Sequence, residues 1–297
     1  MASSLPKTFK AAVFESKDTP LVMKDIPLEL PKAGEVLVKV LATGVCRSDV
    51  GVQDGSFGNS LRGQFQMCGN RAINGVSRNG GYAEYVMLRR EAVVSVPKDV
   101  DPAAFAPLLC AGVTTFNSIR QMGILPGEVV AIQGLGGLGH LAVQFAAKMG
   151  FRVVALSSRA GKEAFAKNFG ATDYIDCSSE DPVAKLNSMG GAALIVATAP
   201  DPKAITPLVG ALHPGGKLLI LAPCGEVPLD TTHLILQGCS VHGWPSGASL
   251  DSEETIAFAQ LEHVNCLIEK YPLQDAQKAY EHMLSGKARF RAVLVMQ

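Results

Sequence analysis

Residues 133–146, QGLGGLGHLAVQFA, decide how this chain is read. They hold Gly134, Gly136 and Gly139 in G-x-G-x-x-G spacing, with Gly137 and Leu138 inside the same turn. The spacing alone is weak, because glycine-rich turns are common. Here it follows the apolar run EVVAIQG (128–134) and opens an amphipathic segment ending on Gly150. A strand before and a helix after give the pattern its meaning. The first glycine permits a tight turn. The second lets the backbone approach a pyrophosphate at the positive end of the helix, and the third lets helix and strand pack closely.

Working outward, short apolar runs recur after this turn: FRVVALS (151–157), TDYIDC (172–177), AALIVAT (192–198), GGKLLILA (215–222) and CSVHGW (239–244). With the first strand they make six, separated by helical stretches such as KEAFAKNFG (162–170). That alternation predicts an α/β fold with a doubly wound parallel sheet, a Rossmann domain. The end of the second strand selects the cofactor. An NAD site places Asp or Glu there for the ribose hydroxyls. This chain reads ALSSRAGK (155–162), with Ser157 in the acidic place and Ser158, Arg159 and Lys162 beyond it. Hydroxyls and cations suit a 2′-phosphate, so NADP(H) is expected in preference to NAD(H).

The first hundred residues read differently. FKAAVF (9–14), GEVLVKVLATGV (34–45) and GGYAEYVML (80–88) are strand-like between Pro and Gly breaks, around a Gly/Asn-rich stretch at 53–80. From Asp101 the pattern turns helical, with Asp101 as N-cap and Pro102 at the first helical position. The carboxyl-terminal part brings a helix in 273–286 and a last strand in 288–296.

Lys plus Arg number 27 and Asp plus Glu 27, so no bulk field favours nucleic acid or an anionic membrane. No run of apolar residues is long enough to span a bilayer, and the first residues carry no apolar signal core. The seven cysteines are scattered without a C-x-x-C pair. A cytoplasmic protein with reduced thiols is expected.

The motifs GVCRSD (44–49), GGYAEY (80–85), PLLCAGVTTF (107–116), GLGGLGHLAVQFA (134–146) and GKARFRAVLVM (286–296) resemble, in this order, those of the zinc-type alcohol dehydrogenases of the medium-chain dehydrogenase/reductase superfamily. The resemblance runs nearly end to end. It implies a GroES-like, mostly β catalytic domain at 1–115 and 263–297 and an inserted Rossmann domain at 116–262. It also implies hydride transfer between a nicotinamide cofactor and an alcohol or carbonyl substrate, in dimers or tetramers. On this resemblance Cys46 and Cys110 match catalytic-zinc ligands, Ser48 the hydroxyl that relays the alcohol proton, and Asp49 the carboxylate that orients the histidine ligand. Arg47 and Arg291 match cofactor-phosphate contacts, and Thr114 a residue lining the nicotinamide.

The chain departs from the family where the metal should sit. No histidine precedes His140, so the middle zinc ligand is missing from its motif. Of the structural-zinc cysteines only Cys68 has a counterpart, so a structural zinc is not expected. The text jumps near Ser60 and Leu61 as though a block had been removed, which would truncate the catalytic domain there. Two thiolates are an incomplete set, since a catalytic zinc takes three protein ligands and an open position. His263 and His282 read as exposed polar positions rather than replacements. Three functions follow: a zinc-type NADP-dependent alcohol dehydrogenase, a zinc-independent NADPH reductase of activated C=C or C=O bonds, and an inactive nucleotide-binding pseudoenzyme from a shortened gene product.

Overall fold

The computed structural model describes residues 5–16, 18–46, 73–158 and 161–296. The proposed truncation at 60–61 lies outside them. The chain divides into two compact units. One comprises 1–109, 248–253 and 266–297, and the other 110–247 and 254–265. The segment Cys110–Thr115, placed by sequence with the catalytic domain, belongs to the second unit, as does the stretch 263–265.

In the first unit, β1 (Thr8–Phe14) pairs antiparallel with β2 (Leu21–Pro27). β3 (Glu35–Lys39) is followed by β4 (Ala42–Gly44), and β3 pairs antiparallel with β5 (Tyr85–Arg89). The segment before β5 crosses to β1, where Ala12 N–H donates to the Tyr82 carbonyl at 2.8 Å and Glu84 N–H to that of Lys10 at 3.0 Å. The helical run from Asp101 is broken rather than continuous. Asp101 caps a single turn, Pro102–Phe105, by accepting from Ala103 N–H at 3.0 Å. A 3₁₀ stretch, Ala106–Leu109, follows, and Cys110 leaves helical geometry at φ −133°, ψ −76°. Pro107 lacks the N–H that a continuous helix would use, which accounts for the interruption.

The second unit opens with α1 (Ala111–Gln121) and is built on β6 (Val129–Gln133), α2 (Gly139–Lys148), β7 (Arg152–Ser157), α3 (Glu163–Asn168) and β8 (Asp173–Asp176). It continues through α4 (Pro182–Ser188), β9 (Ala192–Ala197), β10 (Leu212–Ile220), α5 (Thr231–Gln237) and β11 (Ser240–Gly243). The six strands form one parallel sheet in the order β11-β10-β9-β6-β7-β8. That is the doubly wound arrangement, with its reversal of direction between β6 and β9. Every residue of β9 is buried, as a strand covered on both faces requires. Asp181 and Asp230 cap α4 and α5 through first-turn amides, and Gly238 ends α5 in the left-handed region at φ 62°. Leu156, Ile175, Leu186, Ile195 and Leu218 meet in a core whose members are almost wholly withdrawn from water.

α6 (Ser249–Leu261) precedes the last elements, β12 (Ile268–Pro272), α7 (Ala276–Leu284) and β13 (Arg291–Val295). In the first unit β13 lies between β12, parallel to it, and β4, antiparallel. Val45, Leu273, Tyr280, Ala292 and Leu294 form the core beneath this sheet, with Ala12 and Leu21 from the first hairpin. Among the described residues the first unit therefore holds three small sheets rather than one closed barrel. No single described helix is long and apolar enough to cross a membrane.

Candidate functional site

The glycine-rich turn runs from the end of β6 into α2, beside the end of β9, at the point where the strand order reverses. Ligands of doubly wound sheets bind at this position. The three glycines have separable physical roles here. Gly134 has φ +89°, which L side chains rarely adopt, and a β-carbon on it would lie 2.7 Å from that of Ala199. A β-carbon on Gly139 would lie 1.8 Å from the Gly134 carbonyl oxygen, so turn and helix close against each other there. A β-carbon on Gly136 meets nothing within 4 Å, so the space above it is open. No side chain caps α2, whose N-cap is Leu138. Its first-turn amides and positive dipole end thus face whatever enters.

Side chains hold the turn from behind. The Thr198 hydroxyl, just beyond β9, lies 2.9 Å from the Gln133 carbonyl and 2.8 Å from that of Gly134. Gln133 returns the link by accepting from Ala199 N–H at 3.2 Å. Lys162, only 7% exposed, donates its ammonium to the Leu135 carbonyl. His140, fully buried at the start of α2, sets Nδ1 3.1 Å from the Gly136 carbonyl. An imidazole nitrogen facing a carbonyl must carry the proton, which fixes the tautomer.

At the end of β7, Ser157 is buried and hydrogen-bonded to the Tyr174 phenol of β8. Burial raises the Tyr174 pKa, a shift the Ser157 bond partly opposes. Ser158 is exposed and Arg159 lies outside the described residues. Of the residues assigned to the 2′-phosphate, Lys162 thus has its ammonium on the turn's backbone. Sequence reasoning did not find Thr198, Tyr174 or the His140 side chain. Their roles follow from the pairing of β6 with β9 and of β7 with β8, which periodicity does not encode.

The second cluster of expected residues is in the first unit. Pairing of β4 with β13 is extended by Val45 N–H, which donates to the Ala292 carbonyl at 2.9 Å, and this brings Cys46 beside Arg291. Arg291 is 6% exposed, and its Nη1 donates to Cys46 Sγ at 3.9 Å. Burial pushes the Cys266 thiol up to about 12, against the opposing pull of the Arg291 charge. Arg47, Ser48, Asp49 and Cys68 lie outside the described residues. Cys110 is exposed and belongs to the second unit, with Thr114 one turn on in α1, its N–H donating to the Cys110 carbonyl at 2.9 Å. His263 is exposed, while His282 is partly buried and has Nε2 2.8 Å from Glu269, and among the described residues neither joins a cluster of metal donors.

A family model described as zinc-binding dehydrogenase matches residues 137–261. Alcohol dehydrogenase patD of Penicillium expansum is 47% identical to the chain, over all of both proteins. The chain belongs to the zinc-type alcohol dehydrogenase family. Alcohol dehydrogenase notN of an Aspergillus strain is 44% identical over 99% of each chain, and an alcohol dehydrogenase of Geobacillus stearothermophilus 32% identical over 97% and 99%. The fold agrees with solved members of the superfamily. An acetophenone reductase from Geotrichum candidum, solved with NAD, superposes with TM-score 0.85 at 23% identity, over 99% and 98% of the two chains. The Aeropyrum pernix alcohol dehydrogenase gives 0.87 at 24%, over 96% and 99%. The protein is therefore an alcohol dehydrogenase-like oxidoreductase. Its alignment with the Penicillium enzyme runs over 340 positions against 297 residues, leaving about 43 positions (340 less 297) that this chain does not fill.

The family's catalytic zinc can be tested against these residues. Among the described residues no group of three His, Cys, Asp or Glu side chains could hold a metal ion. The chain has no histidine before residue 140, and the Cys46 sulfur already receives a guanidinium N–H. A guanidinium N–H on that sulfur competes with a metal for the same lone pairs. The described donors do not fit a zinc site.

Proposed function

We propose that this dehydrogenase transfers a hydride between NADP(H) and an alcohol or carbonyl substrate. In the reducing direction, hydride leaves the reduced nicotinamide for the carbonyl carbon, a proton joins the oxygen, and NADP⁺ remains. The observation that carries the reading is the glycine turn at the strand-order reversal, with open space above Gly136 and Ser157 where NAD enzymes place a carboxylate. Ser157 and Ser158 put hydroxyls, and Arg159 a cation, at the positions where a carboxylate would repel a 2′-phosphate. Arg47 and Arg291 are assigned to the phosphates, Thr114 to the nicotinamide, and Ser48 to the proton relay with Asp49 beside it, as the family resemblance implies.

The Cys46–Arg291 contact and the missing histidine favour the metal-independent form of this chemistry, a NADPH reductase of activated C=C or C=O bonds. The unfilled alignment positions support a shortened chain, and the jump in the sequence near Ser60 and Leu61 is where we place the lost block. The same reading places the protein in the cytoplasm. A homodimer through the second unit draws support from β11, an edge strand, and from Ile235 and Leu236, which are 78% and 74% exposed on α5.

The experiment measures binding of NADPH and NADH, zinc content of purified protein, and NADPH consumption with aldehydes, ketones and enones. Tighter NADPH binding and turnover without zinc are expected. Stoichiometric zinc that is lost on Cys46→Ser overturns the metal-independent form. Binding without turnover on any substrate identifies the pseudoenzyme instead.

A further inference from the structure

Four successive carbonyls of the glycine-rich turn, those of Gln133, Gly134, Leu135 and Gly136, each meet a side chain from another part of the second unit or from the start of α2. We infer that Thr198, Lys162 and His140 form a carbonyl clamp that presets the turn for pyrophosphate, making Lys162 and His140 positioning residues rather than ligands. The inference rests on the reading of this turn as a dinucleotide site.

A trans peptide is planar, and the carbonyl of one residue and the N–H of the next point in opposite directions. With the carbonyls of Gly134, Leu135 and Gly136 each held by a protein donor, the N–H groups of Leu135, Gly136 and Gly137 are turned away from those donors. Successive amides pointing one way make an anion-binding concavity. The middle of these three belongs to Gly136, where a β-carbon would meet open space. Each grip comes from beside a regular element. Thr198 extends β9, His140 is in the first turn of α2, and Lys162 immediately precedes α3 with its side chain buried. Gly136 O also accepts His140 N–H at 3.0 Å, so one residue occupies both of its lone pairs. A turn held this way loses little conformational freedom when the ligand arrives, which is how preorganisation raises affinity. A lysine that reads a 2′-phosphate instead leaves its mark on one nucleotide alone.

The test compares Kd values for NADPH and NADH by titration calorimetry in Lys162→Met, His140→Phe, His140→Asn, Thr198→Val and Thr198→Ser. Lys162→Met, His140→Phe and Thr198→Val are expected to weaken both nucleotides by the same factor, about tenfold each, leaving their ratio as in the wild type. His140→Asn, whose amide can take the place of Nδ1–H, and Thr198→Ser, which keeps the hydroxyl, are expected to restore binding. If Lys162→Met weakens NADPH alone, Lys162 is a phosphate reader and the clamp fails at that residue. Wild-type affinity in all three disruptive variants, or no rescue by Asn and Ser, overturns the clamp altogether. Should Lys162→Met not fold, the two pairs at 140 and 198 decide. Wild-type protein that binds neither nucleotide refutes the dinucleotide reading, and the clamp's purpose with it.

Discussion

Two substitutions of the same size, Gly136→Ala and Gly139→Ala, separate what the turn does for the ligand from what it does for the fold. The β-carbon of Gly136→Ala meets no heavy atom within 4 Å, so the unliganded protein has room for it. Melting temperature should stay within about 2 °C of wild type, since surface changes away from packed contacts fall within about 0.5 kcal/mol. The methyl occupies the space through which the pyrophosphate approaches the amides. Losing one charge-assisted amide bond costs about 1.5–3 kcal/mol, so the dinucleotide Kd should rise by about 10- to 150-fold. Gly139→Ala is the opposite case. Its β-carbon falls 1.8 Å from the Gly134 oxygen and 2.9 Å from the Gly134 carbonyl carbon. Both are backbone, so α2 itself must move, which costs about 1–3 kcal/mol or more as overpacking. Thermal unfolding should then occur about 2–4 °C lower for each kcal/mol, with nucleotide binding lost as well. Differential scanning fluorimetry and NADPH titration on both variants suffice. A Gly136→Ala protein that binds like the wild type refutes the approach path over Gly136. A Gly139→Ala protein as stable as the wild type refutes the close contact of turn and helix.

Three further outcomes are expected. Gln144 bonds both the N–H and the carbonyl of Asn265 at 2.9 Å from a buried position, so Gln144→Leu should lower stability by about 1–3 kcal/mol in denaturant unfolding, through stranded backbone groups. Asp101 is held below its ordinary value of 3.8, first by its bond from Lys270 and then by the Ala103 amide. Its contribution is therefore complete above the ordinary value and lost as pH falls through the lowered one. Asp101→Ala should cost about 1 kcal/mol as a lost N-cap at about pH 6, and the gap in melting temperature should close in strong acid. Finally, the Cys266 thiol, pushed up to about 12 by burial, should resist alkylation at about pH 8 while the exposed Cys110 is modified, as peptide mapping by mass spectrometry will show.

The parallel sheet was legible because its signals are local. Each strand is a short apolar run between glycines, and the turn at 134–139 lies between a strand and a helix in both readings. The interruption at Cys110 was not legible, because Asp101–Pro102 announces a helix and the single proline at 107 does not say how far it runs. Lys162 was read as a cation near a phosphate, since sequence gives its charge and place but not its direction. The buried side chain instead turns inward to Leu135, a residue 27 positions earlier. Cys46 was legible as a family ligand, yet its contact with Arg291 spans 245 positions and exists only through the β4–β13 pairing.

The placement of β13 has a consequence for how the chain is made. The strand between β12 and β4 is the last of the described strands, so the three-stranded sheet of the first unit cannot close until residue 295 has left the ribosome. The parallel sheet of the second unit has all its strands by residue 243. Synthesis at about 5–20 residues per second gives that sheet a head start of a few seconds. During that interval β4 is without its partner strand, and the apolar face built around Val45 is without Ala292 and Leu294. This unit is thus the one exposed to chaperones and to misassembly during synthesis, and a chain stalled after residue 243 holds every strand of the parallel sheet but not residues 254–265, which complete the second unit.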